Sequence, residues 1–258
     1  MKLYYKDSLS SLTQGECIEV MTKMAEKGLK FDAIITDPPY GTTACKWDTI
    51  IPFDKMWSCL NNLIKENTPI VLFGSQPFTS ELIHSNIRMF KYEWIWNKNK
   101  GSNIMLAKKQ PLKIHENILV FGGNTYFPQK TKVEGKVRDQ RKEKPKRNRD
   151  DGAVSPKGFI KYAEDYDPSF KFPVSIQYFT NHREKTEVLH PTQKPIKLME
   201  YLINTYTKEG DLILDFTCGS GTTLVASKKL NRKCYGIELE EKYCEITKNR
   251  LVELDATP

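Results

Sequence analysis

The stretch LILDFTCGSGTT (212–223) reads as a strand, a tight glycine turn and the start of a helix. Gly219 and Gly221 let the backbone approach a ligand closely, because neither carries a Cβ. The third glycine of a dinucleotide fingerprint is absent, since Thr223 and Leu224 follow. The lysine of a phosphate-binding loop is absent too. The turn therefore suits a nucleoside-containing ligand that lacks a pyrophosphate. The next strand, 233–238, ends in Glu238, seventeen residues beyond Gly221. A carboxylate there can accept both hydroxyls of a ribose. The plain alternative is a strand–helix turn whose glycines serve packing only. Asp215 before the turn and Glu238 after it favour the ligand.

Outward from this unit, strand and helix patterns alternate. Short apolar runs at 2–6, 31–36, 69–73, 92–96, 115–121 and 211–215 read as strands. Segments 16–27, 54–66, 78–88, 195–207, 222–230 and 240–251 read as helices, with Pro195 in a first turn. The alternation predicts an α/β fold with a doubly wound, mainly parallel sheet. In such sheets ligands bind at the carboxyl ends of the strands. Three unusual sequences fall there: 37–40, 215–223 and Glu238. Residues 122–189 have weak periodicity and much charge, which predicts a small basic insertion. The expected division is 1–121 with 190–258 as one domain and 122–189 inserted.

Asp37-Pro38-Pro39-Tyr40 closes the strand at 31–36. Consecutive prolines fix φ and carry no N–H, so neighbouring carbonyls stand as rigid acceptors. Asp37 adds an anionic acceptor and Tyr40 an aromatic face. This set suits a planar ligand with an exocyclic amine. Such an amine is a poor nucleophile, because its lone pair is delocalised into the ring. Acceptors that pull on its hydrogens favour a pyramidal nitrogen and stabilise the positive charge that develops there.

The 258 residues carry a formal net charge of +8, and most of that excess sits in one place. Residues 130–149 hold ten Lys or Arg against three Asp or Glu. Read alone, this run is either a solvated segment or a phosphate-binding one. No apolar stretch is long enough to span a bilayer, and the first residues lack a signal-peptide pattern. The expectation is a cytoplasmic protein with no membrane partner. The six cysteines form no C-x-x-C pair and have no zinc spacing. They read as free thiols, and no metal is expected.

Asp37–Tyr40 together with Asp215–Thr223 resembles the β group of S-adenosylmethionine-dependent DNA amino-methyltransferases. In that group the catalytic motif comes first, the cofactor motif comes last and a target-recognition region lies between. His190-Pro191-Thr192-Gln193-Lys194-Pro195 resembles the segment that precedes the cofactor motif. The resemblance runs from Tyr4 to Leu251, apart from 122–189, and implies a circularly permuted Rossmann-like methyltransferase sheet. Residue by residue it implies that Asp37 and the carbonyl around Pro38 accept the target amine, with Pro39 holding the turn. Tyr40 stacks on a base flipped out of the duplex. Asp215, Gly219, Gly221 and Thr222 line the methionine part of S-adenosylmethionine, and Glu238 holds its ribose. Asp7 lies near its adenine, and Lys194 lies near the cofactor. The family often has phenylalanine two residues after the aspartate; here Phe216 comes one place early and Thr217 takes that position.

The implied reaction is methyl transfer to adenine N6 of double-stranded DNA, since the cytosine-N4 enzymes more often begin this motif with serine. Lys130, Lys132, Arg141, Lys142, Lys144, Lys146, Arg147 and Arg149 would grip phosphate. Trp94, Trp96 and 98–100 are candidates for the DNA cleft; the other reading of the tryptophan pair is one core and one surface position. A homodimer and a cognate restriction nuclease are the implied partners. Rival readings are the cytosine-N4 reaction, an RNA or protein-amide acceptor, a non-catalytic DNA-binding regulator and, more distantly, an NAD-dependent oxidoreductase.

Overall fold

The computed structural model describes residues 1–43, 48–135, 167–180 and 193–256. In chain order the elements are β1 (Lys2–Lys6), β2 (Ser10–Gln14), α1 (Cys17–Glu26), β3 (Ala33–Thr36), α2 (Phe53–Leu63), β4 (Pro69–Gly74), α3 (Phe78–Ser85), β5 (Phe90–Ser102) and β6 (Lys113–Gly122). They continue with β7 (Thr131–Lys132), β8 (Phe170–Lys171), β9 (Ile176–Tyr178), α4 (Ile196–Tyr206), β10 (Leu212–Asp215), α5 (Thr222–Lys229), β11 (Lys233–Glu238) and α6 (Glu241–Ala256).

β3 (AIIT) and β10 (LILD) each hold three apolar residues closed by one polar residue, and β3 is buried on both faces, as central parallel strands are. They pair in parallel, with Ile213 opposite Ala33 and Leu214 opposite Ile34. The sheet order is β1-β2-β11-β10-β3-β4-β6-β5-β9. The run from β2 to β4 is parallel, while β6 is antiparallel to both β4 and β5.

Successive strand residues point to opposite faces. Ala33, Ile35, Val71 and Phe73 pack with Leu198, Leu202, Leu224 and Leu251 of α4, α5 and α6. Ile34, Ile70 and Leu72 pack on the other side with Met21, Leu60 and Leu82 of α1, α2 and α3. Helices thus cover both faces, as the doubly wound reading requires. In α1 the buried residues Cys17, Val20, Met21 and Met24 recur at helical spacing, so one apolar stripe meets the sheet.

Four strands lie outside the expected set: β2, β7, β8 and β9. β2 (SSLTQ) has neither an apolar run nor alternation, yet Ser10–Thr13 are buried because β1 and β11 flank it. β9 is three residues long and adds to the edge of β5. The tryptophan pair is corrected as well. Trp94 and Trp96 lie two apart on one strand, so both enter the same core, and their indole N–H groups donate to Tyr206 Oη at 2.7 Å and to the Phe179 carbonyl at 2.8 Å.

The chain forms two compact units, Met1–Phe127 with Ser175–Pro258, and Pro128–Val174. The second is narrower than the expected 122–189. The reason is that the Phe127 N–H donates to the Thr205 carbonyl at 2.7 Å and β9 joins the main sheet, which ties both flanks to the larger unit. In the smaller unit β7 pairs antiparallel with β8, and Lys130 Nζ lies 4.7 Å from the centre of the Phe172 ring. Among the described residues no helix is long and apolar enough to cross a membrane. Cys17, Cys59, Cys218, Cys234 and Cys244 are free thiols, all buried; Cys45 lies outside the described residues.

Candidate active site

Because β3 and β10 are neighbours, the two motifs that follow them meet at one sheet edge. A chain of hydroxyls joins them. Thr36 Oγ1 donates to Asp215 Oδ1 at 2.6 Å, and the Thr217 N–H donates to the same oxygen at 3.2 Å. Thr217 Oγ1 in turn donates to the Asp37 carbonyl at 3.1 Å. Threonine where the family often has phenylalanine thus links the glycine turn to the Asp37 peptide.

A cavity of about 890 Å³ opens over this junction. Asp37, Pro38, Pro39 and Tyr40 form one wall; Asp215, Gly219, Thr222 and Glu238 form another. Lys194, from the residues before α4, also reaches it. Its Nζ lies 2.5 Å from Asp37 Oδ2 and 3.2 Å from Glu116 Oε2, while Lys98 lies 3.0 Å from Glu116 Oε1. Burial would lower the Lys194 ammonium, but the Asp37 and Glu116 carboxylates outweigh it and raise its pKa. Glu116, held between two lysines, is depressed despite its burial. Burial pushes Asp37 up against the pull of Lys194.

Tyr40 Oη donates to Asp37 Oδ1 at 2.5 Å, and its ring leans on Phe78 with centroids 5.0 Å apart. The loop after it is held by a residue that motif reading misses. Asp48 accepts the N–H groups of Tyr40, Gly41, Thr42 and Thr43 at 2.6–2.9 Å. These bonds outweigh burial and keep its carboxyl below the ordinary carboxylate range. A lone acid in a loop gives no sequence signal for this; Glu116 and Lys98 are equally silent, since they sit on strands that read as scaffold.

Glu238 ends β11 with its carboxylate fixed by two backbone donors, Gly219 N–H to Oε2 and Glu240 N–H to Oε1, each at 2.8 Å. Burial raises its pKa. Two expected ligand residues lie elsewhere. Asp7 is not on the cavity wall: its carboxylate caps the β1–β2 turn through Leu9 and Ser10 N–H and lies 2.5 Å from Lys228 Nζ. The acid that does line the cavity is Glu16, the N-cap of α1, which accepts the Glu19 N–H at 2.8 Å. The chain re-enters the sheet as β2 before it reaches α1, so the position is reached one strand later. Gly221 is also off the wall; it turns the chain into α5 with φ +75°. Of the basic candidates, Lys132 is exposed in β7 and Lys130 sits over Phe172. Arg141, Lys142, Lys144, Lys146, Arg147 and Arg149 lie outside the described residues, as do 190–192.

Asp215 is 3% exposed, and burial raises its pKa from 3.8 to about 6 against the hydroxyls of Thr223 and Thr36. A carboxyl raised on folding stabilises the native state fully below its unfolded pKa, and that stability is lost as pH rises through the folded pKa. At about 1.4 kcal/mol per unit this amounts to about 3 kcal/mol. Asp215→Asn does not titrate. Urea titrations from about pH 4 to 7 are therefore expected to show the variant gaining on the wild type by up to about 3 kcal/mol.

Comparison with known proteins bears on what the cavity serves. The family profile described as DNA methylase, of the N6 and N4 type, matches residues 31–249. The chain belongs to the DNA methylase family. S-adenosylmethionine is its methyl donor and DNA its substrate. The type II methyltransferase M1.MboII of Moraxella bovis is 26% identical over 91% of this chain and 94% of its own length. Two solved structures share the fold: the M1.HpyAVI–SAM complex (TM-score 0.63, 23% identity, 94% of this chain and 99% of that one) and the PvuII DNA methyltransferase, described as cytosine-N4-specific (TM-score 0.65, 17% identity, 96% and 88%). The donor set fits the methyl donor. A fixed carboxylate at Glu238, a second at Glu16 and the exposed backbone of the glycine turn share one cavity with the Asp37 motif.

Proposed function

We propose that this DNA methylase family member methylates N6 of an adenine swung out of double-stranded DNA. The observation that carries the reading is the shared lining: Asp37, Pro38 and Tyr40 line the same cavity as Gly219 and Glu238. S-adenosylmethionine, when bound, supplies an electrophilic methyl group on a positively charged sulfur. Glu238 and Glu16 are the residues that would hold its polar groups.

Asp37 and the Pro38 carbonyl accept the two hydrogens of the target amine and so return its lone pair to the nitrogen. The methylated amine would be cationic, and the Asp37 carboxylate would take the proton it releases. Burial, which raises its pKa, makes it a better acceptor. Tyr40 offers a face for the base, backed by Phe78. The Lys194 ammonium neutralises Asp37 before the base arrives, and Glu116 gives that ammonium a second partner to fall back on. Lys130–Arg149 is read as a phosphate grip in a target-recognition region.

The test is methyl transfer from S-adenosylmethionine to unmethylated genomic DNA, followed by digestion to nucleosides and mass spectrometry. N6-methyladenine is expected. N4-methylcytosine would keep the mechanism and overturn the base. No methylated base, with donor binding intact, would overturn this account of the chain's catalysis.

A further inference from the structure

β5 and β6 form a hairpin whose tip carries Ile104, Met105 and Leu106 in one short turn. Their exposures are 72%, 99% and 40%. Three consecutive apolar side chains held in water are unfavourable unless something covers them. Two further observations say what does. First, the residues leading into the tip, Ser102 and Asn103, line the catalytic cavity, and Asn103 turns the chain with φ +65°. The tip therefore stands at the cavity mouth. Second, from Asn97 to Lys113 the hairpin has five lysines and no acid. Lys98 is engaged by Glu116, while Lys100, Lys108 and Lys109 are exposed around the tip. An apolar point in a cationic collar fits a polyanion with an apolar interior. A second copy paired tip to tip would set lysine against lysine.

We propose that Ile104–Leu106 is a DNA wedge that enters the base stack beside the target and occupies the space the extruded base vacates. Lys100, Lys108 and Lys109 hold the flanking phosphates. Apolar wedges between base steps offset the unstacking that opens a duplex. The proposal rests on the reading of duplex DNA as the substrate.

The test compares Ile104→Ser/Met105→Ser with Ile104→Val/Met105→Leu on unmethylated double-stranded genomic DNA. The serine pair is expected to lose about tenfold or more in kcat/KM, whereas the apolar pair stays within about twofold of wild type. Both should keep the wild-type thermal midpoint and calorimetric binding of S-adenosylmethionine, because the side chains changed are solvent-exposed. A serine pair at wild-type rate overturns the wedge, and so does an equal loss in both variants. A serine pair that turns a dimer into a monomer by light scattering, with its per-site rate unchanged, assigns the tip to an interface between copies and also overturns it. If the wild type itself methylates no DNA, the substrate reading fails first and the wedge falls with it.

Discussion

Asp37→Ala is expected to lower methyl transfer by about three orders of magnitude while leaving S-adenosylmethionine binding within a few-fold of wild type. Removing one group aimed at developing charge in a water-poor site costs roughly 10²–10³ in rate, and a general base adds to that. Asp37 is both here. The donor side is spared, because Glu238 is held by Gly219 and Glu240 and makes no bond to Asp37. Single-turnover transfer and calorimetry check the two halves separately. Asp37→Asn sharpens the result: it keeps an acceptor oxygen but neither the charge nor a basic site, and its loss should fall between wild type and Asp37→Ala. If both variants keep the wild-type rate, the amine is polarised by other groups and the assignment is wrong.

Gly221→Ala is expected to cost about 4 kcal/mol of stability. The residue sits at φ +75°, where a non-glycine residue costs about 1–2 kcal/mol. A Cβ there would lie 2.3 Å from Thr247 Cγ2, and forcing a methyl into a packed site costs about 1–3 kcal/mol more. Thr247 cannot step aside cheaply, since it is fully buried on α6 and its hydroxyl donates to the Gly219 carbonyl at 2.9 Å. Urea denaturation measures the loss. Adding Thr247→Ser removes Cγ2 and keeps the hydroxyl, so it should restore part of the steric share and none of the conformational share. Donor affinity should fall as well, because the same turn presents Gly219 to Glu238.

The parts of this molecule that could be read from its sequence are those where chemistry and periodicity coincide. β3 and β10 each begin with three apolar residues and lead into a motif whose residue types suit one kind of chemistry, and the structure sets them side by side. β2 was hidden because strand pairing, not side-chain pattern, buries its serines and threonine. That omission displaced the acid: Asp7 follows the first strand in the sequence, but Glu16 follows the strand beside β11 and so reaches the cavity. Lys194, which the resemblance sets near the cofactor, lines the cavity with Asp37 and Glu116 as its partners. Only the antiparallel return of β6 beside β4 brings Glu116 there, a pairing that no local pattern encodes.

The strand order has a consequence for how the protein is made. Among the described strands, the β1–β2 pair meets the rest of the sheet only through β11, and β10 and β11 stand between β2 and β3. Both bridging strands lie beyond residue 211. Until they are synthesised, the ribosome carries two sheet fragments with nothing between them, each with open edges. Such long-range pairing is slow and leaves apolar surface uncovered meanwhile. Catalysis then waits on β10 and β11, so a product truncated before residue 211 keeps the Asp37 motif but lacks the glycine turn and Glu238 that line the same cavity.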